Sequence, residues 1–176
     1  RNKDIPVWGH SDAREMITVT IGTQKVVTTA DATGSWLLHL GPIEAGGPYI
    51  LTVQGNNTIT FKDVLVGDVW VCSGQSNMAW SVKRSNNAAE EIASAQHPKI
   101  RFFGVKRTAA QMPQQDVKGA WAVCDSQSVA NFSAVGYFFG RRLHKTLNVP
   151  IGLINTSWGG TPVEAWTSLP ALQATS

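Results

Sequence analysis

The run Val69-Trp70-Val71-Cys72-Ser73-Gly74-Gln75-Ser76-Asn77-Met78 decides how the second half of the chain folds. Its first four residues are continuously apolar, which is typical of a parallel strand covered on both faces. A polar turn that contains a glycine follows at once. This order predicts a buried strand that ends at the carboxyl edge of a sheet, the edge where open α/β sheets bind their ligands.

Beyond this run, the pattern alternates between helix and strand. Such alternation favours a parallel α/β sheet with short, right-handed connections. The predicted elements are a helix over 88–96, a strand over 100–105, a helix from a Ser133 cap to about Leu147, and a strand over 151–154.

Residues 5–65 follow a different pattern, with short strands and Gly- or Asn-containing turns. Ile17, Val19 and Ile21 alternate with threonines, which is the signature of a half-buried strand. No helical pattern occurs in this part. We therefore predict an α/β protein with a small antiparallel, β-sandwich-like domain over residues 1–63, followed by a parallel-sheet α/β domain over residues 64–176.

The predicted α/β domain is small for its class. It offers about three strands, whereas sheets commonly have about 5–6. A three-stranded parallel sheet has two exposed edges and a thin core. We therefore expect residues 64–176 to be the front part of a larger hydrolase-type domain.

Composition excludes several classes of function. Apolar residues make up 43% of the chain and charged residues 15%, with a net charge of +3, so a packed core is expected. The basic residues are scattered in pairs such as Lys106-Arg107, which argues against nucleic-acid binding. No stretch approaches the roughly 20 apolar residues that span a bilayer.

Cys72 and Cys124 are expected to be free thiols, although a disulfide between them stays open.

Ser76 is the candidate nucleophile. The turn lifts its hydroxyl from the sheet, and the N–H groups of a following helix would face a developing oxyanion. Gln75 and Asn77 are expected to bring amide donors to either side of it. Position 78 is Met, so the run is not the G-x-S-x-G elbow. Two alternatives stay open: Ser76 only caps the helix, or Ser73 supplies the hydroxyl.

A second polar turn follows the strand predicted over 151–154 and should face the same crevice. Its Gly159 and Gly160 offer backbone N–H groups as a further oxyanion donor. Trp158 and Trp166 are candidates for a wall on which a sugar stacks. The alternative is a tight turn with tryptophans that serve packing.

Three blocks of the chain, residues 64–78, 132–139 and 150–166, together with Pro6-Val7-Trp8-Gly9, resemble the amino-terminal part of the sialate O-acetylesterase family. That family belongs to the SGNH hydrolases and is related to acetylxylan esterases. The resemblance covers nearly the whole chain, and its blocks come in the family's order.

The resemblance implies an enzyme, a serine esterase that hydrolyses acetyl esters on sugars, on sialic acid at the 9-O-acetyl group or on xylan-like chains. It implies that Ser76 is the nucleophile and that the oxyanion donors are its own N–H and one from Gly159 or Gly160. Gln75 and Asn77 would brace the nucleophile and contact the substrate. No metal or other cofactor is implied.

The family's base is a histidine in a later Asp-x-x-His segment, and this chain has no such segment. Of the four histidines, His10 and His39 fall in the β region and His144 on a helix surface. His97 precedes the strand over 100–105 and should lie at the opposite edge from Ser76. We therefore expect the base to come from a carboxyl-terminal remainder, as a partner besides the acetylated carbohydrate. The remainder would be a second polypeptide that stays associated, or the rest of a chain of which this is a fragment; an inactive natural truncation is a third possibility. The alternative is a non-catalytic carbohydrate-binding or scaffold fragment.

The chain starts at Arg1 without a Met, and we expect a removed upstream segment such as a signal peptide. The corresponding location would be secreted, periplasmic or lysosomal.

Overall fold

The chain divides into two compact units, Arg1–Gly67 and Asp68–Ser176. The computed structural model describes residues 1–110, 112 and 114–174. The predicted boundary lay between residues 63 and 64, near this division.

The first unit consists of six antiparallel strands in two sheets, one of β1 and β4 and one in the order β3-β2-β5-β6. The alternation in the second strand buries Ile17, Val19 and Ile21, which pack with Trp36 and other apolar residues in one core. This confirms the predicted antiparallel β fold, and residues 1–67, all described, contain no helix. The strands are β1 (Ile5–His10), β2 (Met16–Ile21), β3 (Gln24–Thr29), β4 (Ser35–Leu40), β5 (Gly46–Gln54) and β6 (Thr58–Val66).

The second unit contains a four-stranded sheet in the order β7-β10-β8-β9. The first three strands are parallel, as predicted, and β9 is antiparallel to β8. The strands are β7 (Asp68–Cys72), β8 (His97–Gly104), β9 (Trp121–Cys124) and β10 (Ile151–Asn155). The helices are α1 (Ser76–Ala79), α2 (Ala88–Ala93), α3 (Ala134–Leu147) and α4 (Leu169–Gln173), with short 3₁₀ turns at Val82–Arg84 and Val163–Trp166.

Helix α3 packs on one face of this sheet, which we call the covered face. Ser133 caps the helix as predicted, since its Oγ accepts a hydrogen bond from the Gly136 N–H at 3.1 Å. A Cβ built onto Gly140 would lie 2.6 Å from Leu153 Cδ1, so the glycine lets the helix approach β10 closely. Leu153 and Tyr137 are fully buried between them.

The other face, which we call the open face, carries apolar side chains that the described residues leave exposed. Val69, Val71 and Trp121 are 60%, 64% and 50% exposed. The prediction that β7 is covered on both faces is therefore wrong. The reason is that β7 is an edge strand and that α3 lies on one side of the sheet, where Trp70 meets Phe139 edge-on at 5.1 Å.

Two further predictions concern thiols and membranes. Cys72 and Cys124 are both free and buried, as expected. None of the helices in the described part of the chain is long and apolar enough to cross a membrane.

Candidate active site

The parallel register brings the ends of three strands to one edge of the sheet. Cys72 of β7 and Gly104 of β8 both pair with Asn155 of β10. The pairing continues beyond the strands, because the Thr156 N–H donates to Cys72 O at 3.1 Å and the Trp158 N–H donates to Gly74 O at 2.9 Å. The two polar turns predicted to share a crevice therefore lie side by side.

Ser76 is exposed and opens the short helix α1. Gly74, with φ of +132°, allows the turn that places it there. The Ser76 hydroxyl donates a hydrogen bond to Gln75 Oε1 at 2.6 Å. Gln75 Oε1 is thus the acceptor in this contact, and the expected role of Gln75 as an amide donor beside the hydroxyl stays a prediction. Asn77 follows as an exposed residue of the same helix.

Gly159 lies directly against the candidate nucleophile. A Cβ built onto Gly159 would stand 3.6 Å from Ser76 Cα and 3.8 Å from Ser76 Oγ. Gly160 has φ of +80° and no atom within 4 Å of the corresponding position. Of the two predicted glycines, Gly159 is thus the one that the fold brings to Ser76.

The loop that carries Gly159 is anchored at its base. Asn155 Oδ1 accepts hydrogen bonds from the Ser157 N–H at 3.0 Å and from the Ser157 hydroxyl at 2.6 Å. Because Ser157 is buried, these bonds are shielded from water and fix the start of the loop. The loop therefore presents Gly159 to Ser76 from a rigid support.

Thr161 links the two tryptophans of the predicted sugar wall. Its hydroxyl donates to Trp158 O at 2.7 Å and accepts from the Trp166 indole N–H at 2.8 Å. Both indoles are partly exposed, at 37% and 41%. The fold thus brings the two residues to one segment, and their role in sugar binding stays a prediction.

The histidines of the second unit lie away from Ser76. His97 begins β8 and therefore sits at the amino edge of the sheet, as predicted. Burial, together with Lys145 and Arg141, lowers the pKa of His97. His144 lies on α3 as expected and is partly exposed, and its Nδ1 forms a hydrogen bond with Val149 O at 2.7 Å. Among the described residues, the Ser76 hydroxyl has Gln75 as its hydrogen-bond partner and no histidine.

Cys72 is the other potential nucleophile near this edge. It is 4% exposed, and a Cβ built onto Gly136 of α3 would lie 2.9 Å from its sulfur. Burial raises the pKa of the Cys72 thiol, so the thiolate is disfavoured. The thiol therefore serves packing, and the exposed hydroxyl of Ser76 is the better nucleophile.

Arg107 also lies at this edge, and from the sequence it was predicted only as one member of a scattered basic pair. The chain continues past β8 beside the second loop, since the Val105 N–H donates to Asn155 O at 3.0 Å. Arg107 Nε then donates to Ser157 O at 3.2 Å. No sequence pattern marks this contact, because it depends on the register between β8 and β10.

A family model described as carbohydrate esterase, sialic acid-specific acetylesterase, matches residues 66–173, which is more than half of the chain. The chain belongs to this esterase family. The match covers both turns of the candidate site, and it confirms the family recognised from the three sequence blocks.

Relatives of this family member extend the match over nearly the whole chain. The sialate O-acetylesterase of Rattus norvegicus is 38% identical over 96% of this chain and 35% of its own length. The one of Homo sapiens is 36% identical over 96% of this chain and 36% of its own length. The present chain thus spans about a third of the length of these curated relatives.

A solved structure matches the fold described above. The crystal structure of a carbohydrate acetylesterase from Xanthomonas citri superposes with a TM-score of 0.94 at 38% identity. The match covers 98% of this chain and 40% of that one. The predicted fold class, a β region followed by an SGNH-type α/β region, is confirmed.

Proposed function

We propose that this chain is the amino-terminal part of a carbohydrate O-acetylesterase and that Ser76 is its nucleophile. The observation that carries the proposal is that the exposed Ser76 hydroxyl lies next to Gly159 at the carboxyl edge of the sheet. The glycine leaves the space beside the hydroxyl free for an acetyl group. The acetylesterases to which the chain is similar support this assignment of chemistry.

The reaction follows the acyl-transfer scheme of serine esterases. Ser76 Oγ attacks the acetyl carbonyl carbon, and the bond between that carbon and the sugar oxygen breaks to leave an acetyl-enzyme. Water then attacks the acetyl-enzyme and releases acetate. The oxyanion of each step would be stabilised by the Ser76 N–H, which has no partner inside its helix, and by the Gly159 N–H.

A base must take the proton of Ser76, and the described residues near Ser76 do not provide one. Gln75 Oε1 orients the hydroxyl, but an amide oxygen is far too weak a base to keep the proton. In the proposed enzyme, a carboxyl-terminal remainder supplies a histidine from an Asp-x-x-His segment. The histidine takes this proton and passes it to the leaving sugar oxygen, and the aspartate orients the histidine. The small share of the relatives that this chain spans supports such a remainder.

The acetylated substrate in this proposal is a sugar, either 9-O-acetylated sialic acid or a xylan-like chain. Trp158 and Trp166 would form the stacking surface, and Asn77 would contact the substrate beside Gln75. We propose for this enzyme the location expected from the sequence, which is secreted, periplasmic or lysosomal.

Replacement of Ser76 tests the nucleophile. In the protein combined with its carboxyl-terminal remainder, Ser76→Ala should lower the rate of acetate release from an acetylated sugar by at least about 10³-fold. Ser73→Ala is the matched control, because Ser73 is an exposed hydroxyl of the same turn. It should keep most of the activity. A Ser76→Ala protein as active as the parent would disprove the assignment.

Measurements on the chain without its remainder test whether the catalytic residues are divided between the two parts, and they also test the competing function. Without a histidine base it should release acetate at a rate close to that of Ser76→Ala, and addition of the remainder should restore turnover. If the chain binds sugars but gains no turnover with the remainder, the alternative of a non-catalytic carbohydrate-binding or scaffold fragment is the better description. Intact-mass analysis of the purified material would reveal whether a second polypeptide accompanies the chain.

A further inference from the structure

We infer that Arg107 selects acidic sugars by binding the carboxylate of the sugar whose acetyl group Ser76 attacks. The inference rests on the proposed function of Ser76. It adds the feature that distinguishes the candidate substrates, since sialic acid and the uronic acids of plant polysaccharides carry a carboxylate and neutral acetylated sugars do not.

The position of Arg107 follows from the strand order at the carboxyl edge. The loop over residues 156–159 extends from β10, the strand between β7 and β8. On one side the loop bonds Gly74, two residues before Ser76, and on the other side its Ser157 carbonyl accepts from Arg107 Nε. Two strand spacings of about 4.8 Å put the two flanks roughly 10 Å apart. One sugar with its side groups can bridge that distance.

The guanidinium of Arg107 keeps the donors that a carboxylate requires. Its Nε–H is used by Ser157 O, which holds the group at the loop. One hydrogen on each of Nη1 and Nη2 points away from that bond, at the far end of the guanidinium. These two hydrogens form an end-on pair that can bind a carboxylate in bidentate fashion. Arg107 is exposed, so a ligand can reach it.

The charge of Arg107 is also not neutralised by an acidic residue in the described part of the chain. Two other arginines of the second unit are engaged: Arg141 pairs with Glu91 at 2.5 Å, and Arg84 lies 4.0 Å above the Trp80 ring. Arg107 therefore has a hydrogen bond that holds it at the loop, an exposed side chain and an uncompensated charge, on the flank of the loop opposite to Ser76. These three properties favour a role in binding an anion over a role that is limited to holding the loop in place.

Matched substrates provide the test in the protein combined with its remainder. Acetate release is measured for O-acetylated sialic acid and for its carboxyl methyl ester, and in the same way for an O-acetylated glucuronic acid and its methyl ester. Arg107→Gln should lower kcat/KM for the acids by about 10- to 100-fold and leave the esters nearly unchanged. Arg107→Lys should retain part of the preference. Arg142→Gln, an exposed arginine of α3, is the control and should change neither.

The pattern of loss separates the possible outcomes. A preference for the acid of one sugar and not the other identifies which acidic sugar the site takes. An equal loss for acids and esters would mean that Arg107 only tethers the loop, and the inference would be wrong. Ser76→Ala abolishes turnover of all four substrates if the proposed function holds, so a failure of the nucleophile is distinguishable from a failure of Arg107.

A binding measurement on the chain itself needs no turnover. At 19.0 kDa the chain is suited to NMR titration with free sialic acid, glucuronic acid and glucose. The amide signals of residues 156–160 should shift with at least one of the two acids and not with glucose, and Arg107→Gln should remove the shift. Shifts that persist in Arg107→Gln, or that are absent with both acids, would overturn the inference.

Discussion

The covered and open faces of the second unit's sheet are built from the same strands but have opposite surroundings. On the covered face, Ile100 and Leu153 are fully buried beneath α3 and its neighbours. On the open face, Val69 and Val71 expose 60% and 64% of their surface. Both faces of the sheet thus carry apolar side chains, and the described part of the chain covers those of one face.

The comparison shows where the stability of the unit resides. Removal of apolar area from water contributes about 25 cal/mol per Å², so the covered face supplies most of this term. The open face instead resembles the apolar patches that mark association surfaces. We expect the remainder of the proposed enzyme to cover this face, because α/β sheets with parallel strands are covered on both sides.

Leu153→Ala should give the largest loss of stability on the covered face. Leu153 is fully buried against Gly140 of α3, so truncation leaves a cavity. We expect the free energy of unfolding of this unit to fall by about 2–5 kcal/mol. Urea unfolding, followed through the NMR signals of α3, measures this change.

Ile154→Ala, on the next residue of β10, is the control for Leu153→Ala. Successive residues of a strand point to opposite faces, so Ile154 belongs to the open face and is only partly buried. Its truncation should cost clearly less than that of Leu153. Equal losses for the two variants would remove the distinction between the faces.

Ser133→Ala should have an intermediate effect, since Ser133 caps the helix of the covered face. Loss of the hydrogen bond from the Gly136 N–H should destabilise the unit by about 1 kcal/mol. Thermal unfolding of the parent and the variant, compared side by side, measures this loss. A Ser133→Ala protein with unchanged Tm would mean that packing, and not the cap, sets the start of α3.

The features that were predictable from sequence depend on neighbours along the chain. The apolar run before Cys72 and the cap at Ser133 gave correct strands and helices, because these signals lie within a few residues. The meeting of the two polar turns was also accessible, since parallel strands end at a common edge, but the choice between Gly159 and Gly160 was not. The sequence blocks then identified the family.

The features that were not predicted depend on which strands and side chains are neighbours in the folded sheet. Strand β9 has only four residues, which is too short for an alternation of apolar and polar residues to identify it as a strand. The exposure of Val69 and Val71 follows from the edge position of β7, which no local run of residues reveals. The contact of Arg107 with Ser157 and the accepting role of Gln75 are likewise set by register and side-chain orientation.

Val71→Ala should have the smallest effect and sharpens the comparison most. In the chain alone the side chain is largely exposed, so the loss should stay within about 0.5 kcal/mol. Combined with the remainder, the same substitution should lower stability or weaken association, because the valine would then be buried. Lys83→Ala, an exposed residue of the Val82–Arg84 turn, serves as the control in both states. If Val71→Ala is neutral in both states, the open face is not the surface that the remainder covers.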